Sequence, residues 1–504
     1  MPTPRQIQQM LITASALQRS GRLAEAESIY RQVLDASPQN TDALYLLGML
    51  LNATRRYAEA VPLFERAIQI NPTRAKYHAN LAAALGAPGL GRIDEAIALY
   101  QKAIALEPTH AALRNNLGNE YRAADRWDLA MQCYQQALEL SPEYVDAWSN
   151  YGVTLQETAQ TPQDFHRAMA AYEKAIALDA NFPLAHWNLG VVHLLLGDLE
   201  RGFAECQWRW KCESFSANVR FATQLEWGTS EGVGHPDIAG RRILIYSEQG
   251  LGDSIQFIRY AQILAARGAT VLLRCPVELQ SLLARASGVS AVFCRIQDVG
   301  AYDWHIPTLT LPFALKTRLE TIPASVPYLS ADPARSQFWR QRVQSTVGPR
   351  TKLRIGLAWA GSPANKNDKN RSMRLERLLP LSRVSETAEF LSLQKGPAAA
   401  QIAECPALKI FDFGPDLRDF GETAALMDQL DLVITVDTAV GHLAGAMGKP
   451  VWLLLPHLPD WRWMLERSDS PWYPTMRLFR QPRRGDWETV VENVVDALKL
   501  PSGK

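Results

Sequence analysis

The sequence has little of what would tie a chain to nucleic acid, to a membrane or to an oxidising compartment. Its 53 Lys and Arg are offset by 52 Asp and Glu, for a net charge of +1. No global field therefore draws it to nucleic acid or anionic lipid. Cysteines are few, at Cys133, Cys206, Cys212, Cys275, Cys294 and Cys405, with no CxxC pair and no zinc spacing. Free thiols in a reducing compartment fit this better than a disulfide framework. No window approaches the roughly 20 apolar residues that a membrane span needs. The opening stretch, MPTPRQIQQMLITASALQRSG, lacks the apolar core of a signal peptide. A soluble cytoplasmic protein with no transmembrane segment, no metal, no cofactor and no nucleic-acid partner is expected.

With 504 residues the chain exceeds a single core, and about 150 residues per domain suggests about three domains. The first of these repeats itself. Pro38, Pro72, Pro108 and Pro142 are spaced 34, 36 and 34 residues apart, each closing a helical segment. One unit carries Leu47, Gly48, Ala60, Phe64, Ala67 and Pro72, and a later one carries Leu117, Gly118, Tyr121, Ala130, Tyr134, Ala137 and Pro142. Gly and Ala suit the close crossing of two antiparallel helices, an aromatic fills the gap beside them, and proline stops the second helix. This pattern resembles tetratricopeptide repeats over about 8–215, with some six units and an atypical last one.

Departures from the pattern are expected at three places. The third unit has an enlarged turn, Gly86-Ala87-Pro88-Gly89-Leu90-Gly91, and the fifth a loop insertion around Thr161-Pro162-Gln163-Asp164. The sixth loses its pattern after Gly190, where Gly202, Cys206 and Arg209 stand in place of small, aromatic and small residues. Its ending, Gln207-Trp208-Arg209-Trp210-Lys211, suits docking onto the next domain better than a solvated cap. Asn80, Asn115, Asn116, Asn150 and Asn188 recur on the first helices of the units. Such a ladder would bind an extended backbone through its amides, or would simply be polar groove surface.

Beyond residue 215 the periodicity changes to α/β. A strand at Ile243–Ser247, the turn Glu248-Gln249-Gly250-Leu251-Gly252-Asp253-Ser254 and a helix over 255–267 open a first Rossmann-like half, 216–348. Further strands are expected at Thr270–Arg274, near Phe293 and near His305. A second half, 349–504, starts with a strand at Lys352–Trp359 and the polar loop AGSPANKNDKNR. It continues with helices over 375–381, 423–429 and 486–498. Its strands lie at Phe390–Leu393, Leu408–Asp412, Val433–Val436 and Val451–Leu455. The stretch Val433–Pro456 reads strand, polar turn (Asp437 to His442), helix of small residues, strand. A turn at the C-terminal end of such a strand is where open α/β sheets hold ligands, and a helix N-terminus there offers free N–H groups. It is also where Asp437 or Thr438 would serve as an ordinary helix cap.

Gly250-Leu251-Gly252-Asp253-Ser254-Ile255-Gln256 and Asp437-Thr438-Ala439-Val440-Gly441-His442-Leu443 together resemble bacterial family 9 glycosyltransferases, which include heptosyltransferases of GT-B fold. With the repeats ahead, and with Trp208-Arg209-Trp210, Leu393-Gln394-Lys395-Gly396 and Asp460-Trp461-Arg462-Trp463, the chain also resembles bacterial proteins described as O-linked N-acetylglucosamine transferase-like. The resemblance implies a glycosyltransferase that takes a nucleotide-sugar donor as substrate. Asp253 would be the catalytic base, its alternative role being a helix cap. Lys366, Lys369 and Arg371 would contact phosphate, with Arg371 the best single choice. Thr438 would hold the diphosphate, and Gly441 would allow backbone to approach it closely. Asp437 would shape the turn or hold a sugar or ribose hydroxyl, and His442 would donate to phosphate or bond within the turn. Gln394 would reach base or ribose, or be a plain loop amide. The family has a Gly- or Pro-like residue after Asp-Thr where this chain has Ala439-Val440, so donor choice is open. Trp452, Trp461, Trp463 and Trp472 fit core packing better than sugar stacking.

The expected activity is thus inverting, metal-independent transfer of a sugar, with the repeats recruiting a protein or peptide acceptor. The alternative is a non-catalytic repeat scaffold with a degenerate GT-B domain. A dinucleotide oxidoreductase is disfavoured, because no GxGxxG follows either opening strand.

Overall fold

The computed structural model describes residues 2–216, 226–228, 237–365 and 367–499. It divides into two compact units, Met1–Asn188 and Leu189–Lys504.

The first unit is a stack of antiparallel helix pairs: Pro4–Arg19 with Leu23–Ala36, Thr41–Ala53 with Tyr57–Ile70, and Ala75–Gly86 with Ile93–Leu106. Ala111–Ala123 with Trp127–Leu140 and Val145–Glu157 with Pro162–Leu178 continue it. Alanines at 26, 60, 96, 130 and 168 are fully buried, and Tyr30, Phe64, Tyr100, Tyr134 and Tyr172 lie buried beside them. The glycine-aromatic pairing has a direct cause. A Cβ on Gly48, Gly118 or Gly152 would lie within 2.7 Å of the Phe64, Tyr134 or Tyr172 ring. The expected loop insertion at Thr161–Asp164 is instead the start of a lengthened helix, Pro162–Leu178. Pro162 suits the first helical position, and Thr161 and Asp164 form a reciprocal capping box.

A sixth pair, Pro183–Leu195 and Leu199–Glu205, straddles the division between the units. Its second helix is only seven residues long and runs into a tight 3-10 turn, Cys206–Lys211. Within the second unit this turn is fastened to the α/β fold. The fully buried Arg209 makes two 2.9 Å bonds to the Glu248 carboxylate and one of 2.8 Å to Thr310 Oγ1. Phe203 packs edge-on to Trp461 at 5.5 Å. The aromatic ending thus docks as its composition suggests, and the division falls ahead of residue 215 because this docking makes the ending part of the α/β core.

Two parallel sheets follow. The first contains β1 (Arg242–Tyr246), β2 (Thr270–Arg274), β3 (Val289–Phe293) and β4 (Trp304–Pro307), in the order β3-β2-β1-β4. The second contains β5 (Leu353–Ala358), β6 (Ala388–Ser392), β7 (Ile410–Asp412), β8 (Leu432–Val436), β9 (Val451–Leu455) and β10 (Met476–Arg480). Its order is β10-β9-β8-β5-β6-β7. Strand order reverses beside β1 in one sheet and between β5 and β8 in the other, which are the topological switch points. The helix Pro333–Val347, read from sequence as the end of the first half, packs on the second. Arg335 pairs with Asp419 at 2.8 Å, Ser336 with Asp428 at 2.8 Å and the Trp339 indole with Glu422 at 2.6 Å. Trp461, Trp463 and Trp472 are buried, as core packing requires.

Candidate active site

A cavity of about 940 Å³ opens between the C-terminal ends of the two sheets. The first half contributes Gln249 to Asp253, and the second contributes Ala360–Asn365, Arg371, Asp437–Val440, His442, Asp460 and Arg462. Its size suits a nucleotide-sized ligand.

Asp253 sits in the first turn of the helix Leu251–Phe257, and its Oδ2 accepts the Gly250 N–H at 2.8 Å. The expected N-cap role falls to Gly250, because the helix starts at Leu251 rather than Ser254; Asp253 accepts the cap N–H from the third helical position and lines the cavity. Its Oδ1 is ion-paired with Arg462, which reaches across from the second half. Burial pushes the Asp253 carboxyl above its usual range, with Arg462 opposing and Asp460 adding to the rise.

On the facing wall the helix starts four residues earlier than the sequence suggests, at Ala439 rather than Leu443. Thr438 occupies the N-cap position but its side chain makes no capping bond, and its hydroxyl instead lies 3.2 Å from Thr435 Oγ1. The first turn of this helix, Ala439 and Val440, lines the cavity. Its leading N–H groups have no partner in the helix ladder, which makes them anion donors. Arg371 lies beside them, donating from Nη1 to the Asp437 carbonyl at 2.9 Å. Burial raises the Asp437 carboxyl, and Asp460 adds to that rise.

Of the other expected residues, His442 and Gln394 line the cavity and Gly441 and Lys369 do not. Gly441 is inside the helix and faces the sheet, where a Cβ would come within 3.1 Å of Leu453 and 3.2 Å of Thr435. It serves helix-on-sheet packing and is not on the cavity wall. His442 is buried, with Nδ1 2.9 Å from the Tyr473 hydroxyl. Burial and the guanidinium groups of Arg462, Arg259 and Arg371 hold its pKa well below the usual value. The imidazole is therefore neutral and offers no fixed positive charge to a phosphate. It packs against the glycine turn instead, where a Cβ on Gly252 would lie 2.7 Å from its Cδ2. Gln394 lines the cavity but spends its amide on the protein. Its Oε1 accepts the Trp359 and Ala360 N–H groups, both at 2.9 Å, and Nε2 donates to two carbonyls. Lys369 is exposed and lines a separate outer depression, whereas Arg371 lines the cavity. Lys366 lies outside the described residues.

The asparagine ladder is partly consumed by the repeats themselves. Asn150 donates to Asn115 Oδ1 at 3.0 Å, Asn115 donates to Asn116 at 3.3 Å, and Asn80 donates to the Lys76 carbonyl at 2.8 Å. Asn115 is too buried to face a groove. Asn188 Nδ2 is buried with no hydrogen bond among the described residues.

Sequence reasoning missed Arg462 as a site residue. Its Nε donates to Gln256 Oε1 at 2.6 Å and its Nη1 to Asp460 at 2.8 Å, besides the pair with Asp253. The motif Asp460-Trp461-Arg462-Trp463 was the available signal, since an arginine between tryptophans is destined for burial and needs carboxylate partners.

Comparison with known proteins agrees with this architecture. Residues 13–75 match a tetratricopeptide repeat family, and 90–120, 118–158 and 163–197 match the TPR repeat. Residues 400–454, which include β8 and the Thr438 turn, match glycosyltransferase family 9 (heptosyltransferase). The chain joins tetratricopeptide repeats to a glycosyltransferase domain. It is 24% identical to Protein FlbA of Caulobacter vibrioides, over 94% of this chain and 87% of that protein. It is 29% identical to a probable UDP-N-acetylglucosamine–peptide N-acetylglucosaminyltransferase SPINDLY of Hordeum vulgare, but over only 32% of this chain and 17% of that protein. A crystal structure of MamA protein aligns at 20% identity and a TM-score of 0.30, covering 35% of this chain and 92% of that one. Among the described residues no helix is long and apolar enough to cross a membrane.

Proposed function

We propose that the second unit transfers a sugar from a nucleotide-activated donor to an acceptor hydroxyl or other nucleophile, with inversion and without a metal. The observation that carries this reading is the opposition of Asp253 to the Thr438 helix start and Arg371 across one cavity. The acceptor oxygen attacks the anomeric carbon while the bond from that carbon to the diphosphate oxygen breaks. The bonding pair leaves with the nucleoside diphosphate, and the acceptor proton passes to Asp253. Arg371 and the first-turn N–H groups supply the positive potential that the departing diphosphate needs. The repeats recruit a protein or peptide acceptor, in keeping with their helix-pair architecture.

The occupied state of Asp253, held by Arg462 and the Gly250 N–H, gives some support to a second reading, a scaffold whose site no longer turns over. A thermal-shift and turnover panel of UDP-, GDP-, ADP- and dTDP-sugars on wild type and Asp253→Ala separates the two. The name of the barley relative puts UDP-N-acetylglucosamine and a peptide acceptor first in that panel. Turnover by wild type alone supports the enzyme, and binding without turnover by both proteins supports the scaffold. No binding and no consumption of any donor sinks the enzyme reading.

A further inference from the structure

Arg462 is the hub of a buried cluster that draws on both halves of the α/β unit. It is only 7% exposed, and all three of its guanidinium nitrogens are engaged, by Gln256, Asp460 and Asp253. Asp253 and Gln256 are three residues apart on one helix face, so a single guanidinium grips that face at two points. The Arg462 guanidinium also lies 4.3 Å from the Trp461 ring centroid and 5.8 Å from that of Phe257, which fixes its plane. The charged and titratable groups around Asp253 are Arg462 and Asp460, with Asp437, Arg371 and His442 in the same cluster.

Resting on the glycosyltransferase reading, we propose that Arg462 is a positioning residue that aims the Asp253 carboxylate at the acceptor proton, with Asp460 as its standing counter-ion. The arrangement meets a specific requirement of the proton transfer. Protonating Asp253 removes one negative charge from a buried site. Were Asp253 the sole partner of Arg462, the step would strand a buried guanidinium, at considerable cost. Asp460 remains paired with it, so the cluster of Asp253, Arg462 and Asp460 passes from net −1 to neutral as the proton arrives. The charge gain is matched by the charge that departs with the nucleoside diphosphate.

The test is the pH dependence of kcat/KM for release of nucleoside diphosphate from the UDP-, GDP-, ADP- and dTDP-sugar panel. Arg462→Gln removes the cation beside Asp253, so the acidic limb should move up by about one pH unit or more, with a fall in kcat. Arg462→Lys should return the limb toward its wild-type position while kcat stays low, because an ammonium carries the charge but not the planar fork. Asp460→Asn should move the limb the opposite way, to lower pH, and it keeps the proposal testable should Arg462→Gln fail to fold. An unmoved limb in both Arg462→Gln and Asp460→Asn, in proteins that melt normally, overturns the assignment and leaves the glycosyltransferase reading standing. No turnover by wild type removes that reading, and this role falls with it.

Discussion

The two parallel sheets put their switch points to opposite uses. Beside β1 the crevice is filled from within the chain, because the Glu248 carboxylate takes two bonds from the buried Arg209 and one from the Leu309 N–H at 2.9 Å. Between β5 and β8 the crevice stays open and is lined by Arg371, Asp437 and Thr438. Both are places where an α/β sheet leaves backbone donors unspent. In one the chain supplies its own ion pair, and in the other it leaves room for a ligand. Switch-point topology alone therefore does not mark a ligand site. What marks it is whether the polar groups there are already partnered.

The largest expected effect comes from the cavity that the two halves share. Asp253→Asn should lower donor turnover by about 10²–10⁴-fold while leaving the melting temperature near wild type, measured on the donor that wild type consumes. Arg209→Ala should do the converse. It leaves Glu248 buried without its guanidinium, and chemical denaturation should show a loss of about 3–5 kcal/mol in the second unit. The double variant Arg209→Ala, Glu248→Ala should recover part of that loss, and if it recovers none, the filled crevice is not held by this pair. Gly252→Ala sharpens the comparison at the seam of the two halves. Its Cβ would lie 2.7 Å from the His442 ring, so a loss of about 1–3 kcal/mol and weaker donor binding are expected, read by thermal shift.

The smallest effect is one of pH. His442 is held neutral in the fold, with its pKa well below the usual 6.5. The unfolded chain therefore binds the extra proton first, and stability is present above about pH 6.5 and declines below it. His442→Gln should flatten that acid limb between pH 7 and 5, as denaturant midpoints would show. An unchanged limb would mean that burial and the neighbouring guanidinium groups do not hold the imidazole neutral.

Much of the fold was legible because its signals are local. The proline and glycine-aromatic spacing of the repeats reports contacts within a single helix pair, so a window of some 34 residues contains the whole argument. Nine of the ten strands could be placed for the same reason, from short β-branched or apolar runs. The exception, Met476–Arg480, is an edge strand whose apolar residues are interrupted by Arg477 and ended by Arg480, and it gives no such run. The helix read over 255–267 is broken by a 3-10 turn at Ile258–Tyr260. There the buried Arg259 bonds to the local Gln256 carbonyl and also to those of Pro323 and Trp472, two partners that no local window contains.

By itself the sequence determined the helix-pair repeats, the strand and helix succession of two α/β halves, and the two turns that carry Asp253 and Thr438. Only the tertiary structure decided which polar groups those turns would meet. Arg462 reaches Asp253 across 209 residues, Arg209 reaches Glu248 across 39, and Gln394, which looked available to a ligand, is consumed by the loop after β5. The reason is that periodicity and propensity act along the chain. A buried charge or amide takes whatever partner the fold brings within about 3 Å, and that partner can come from anywhere in the sequence.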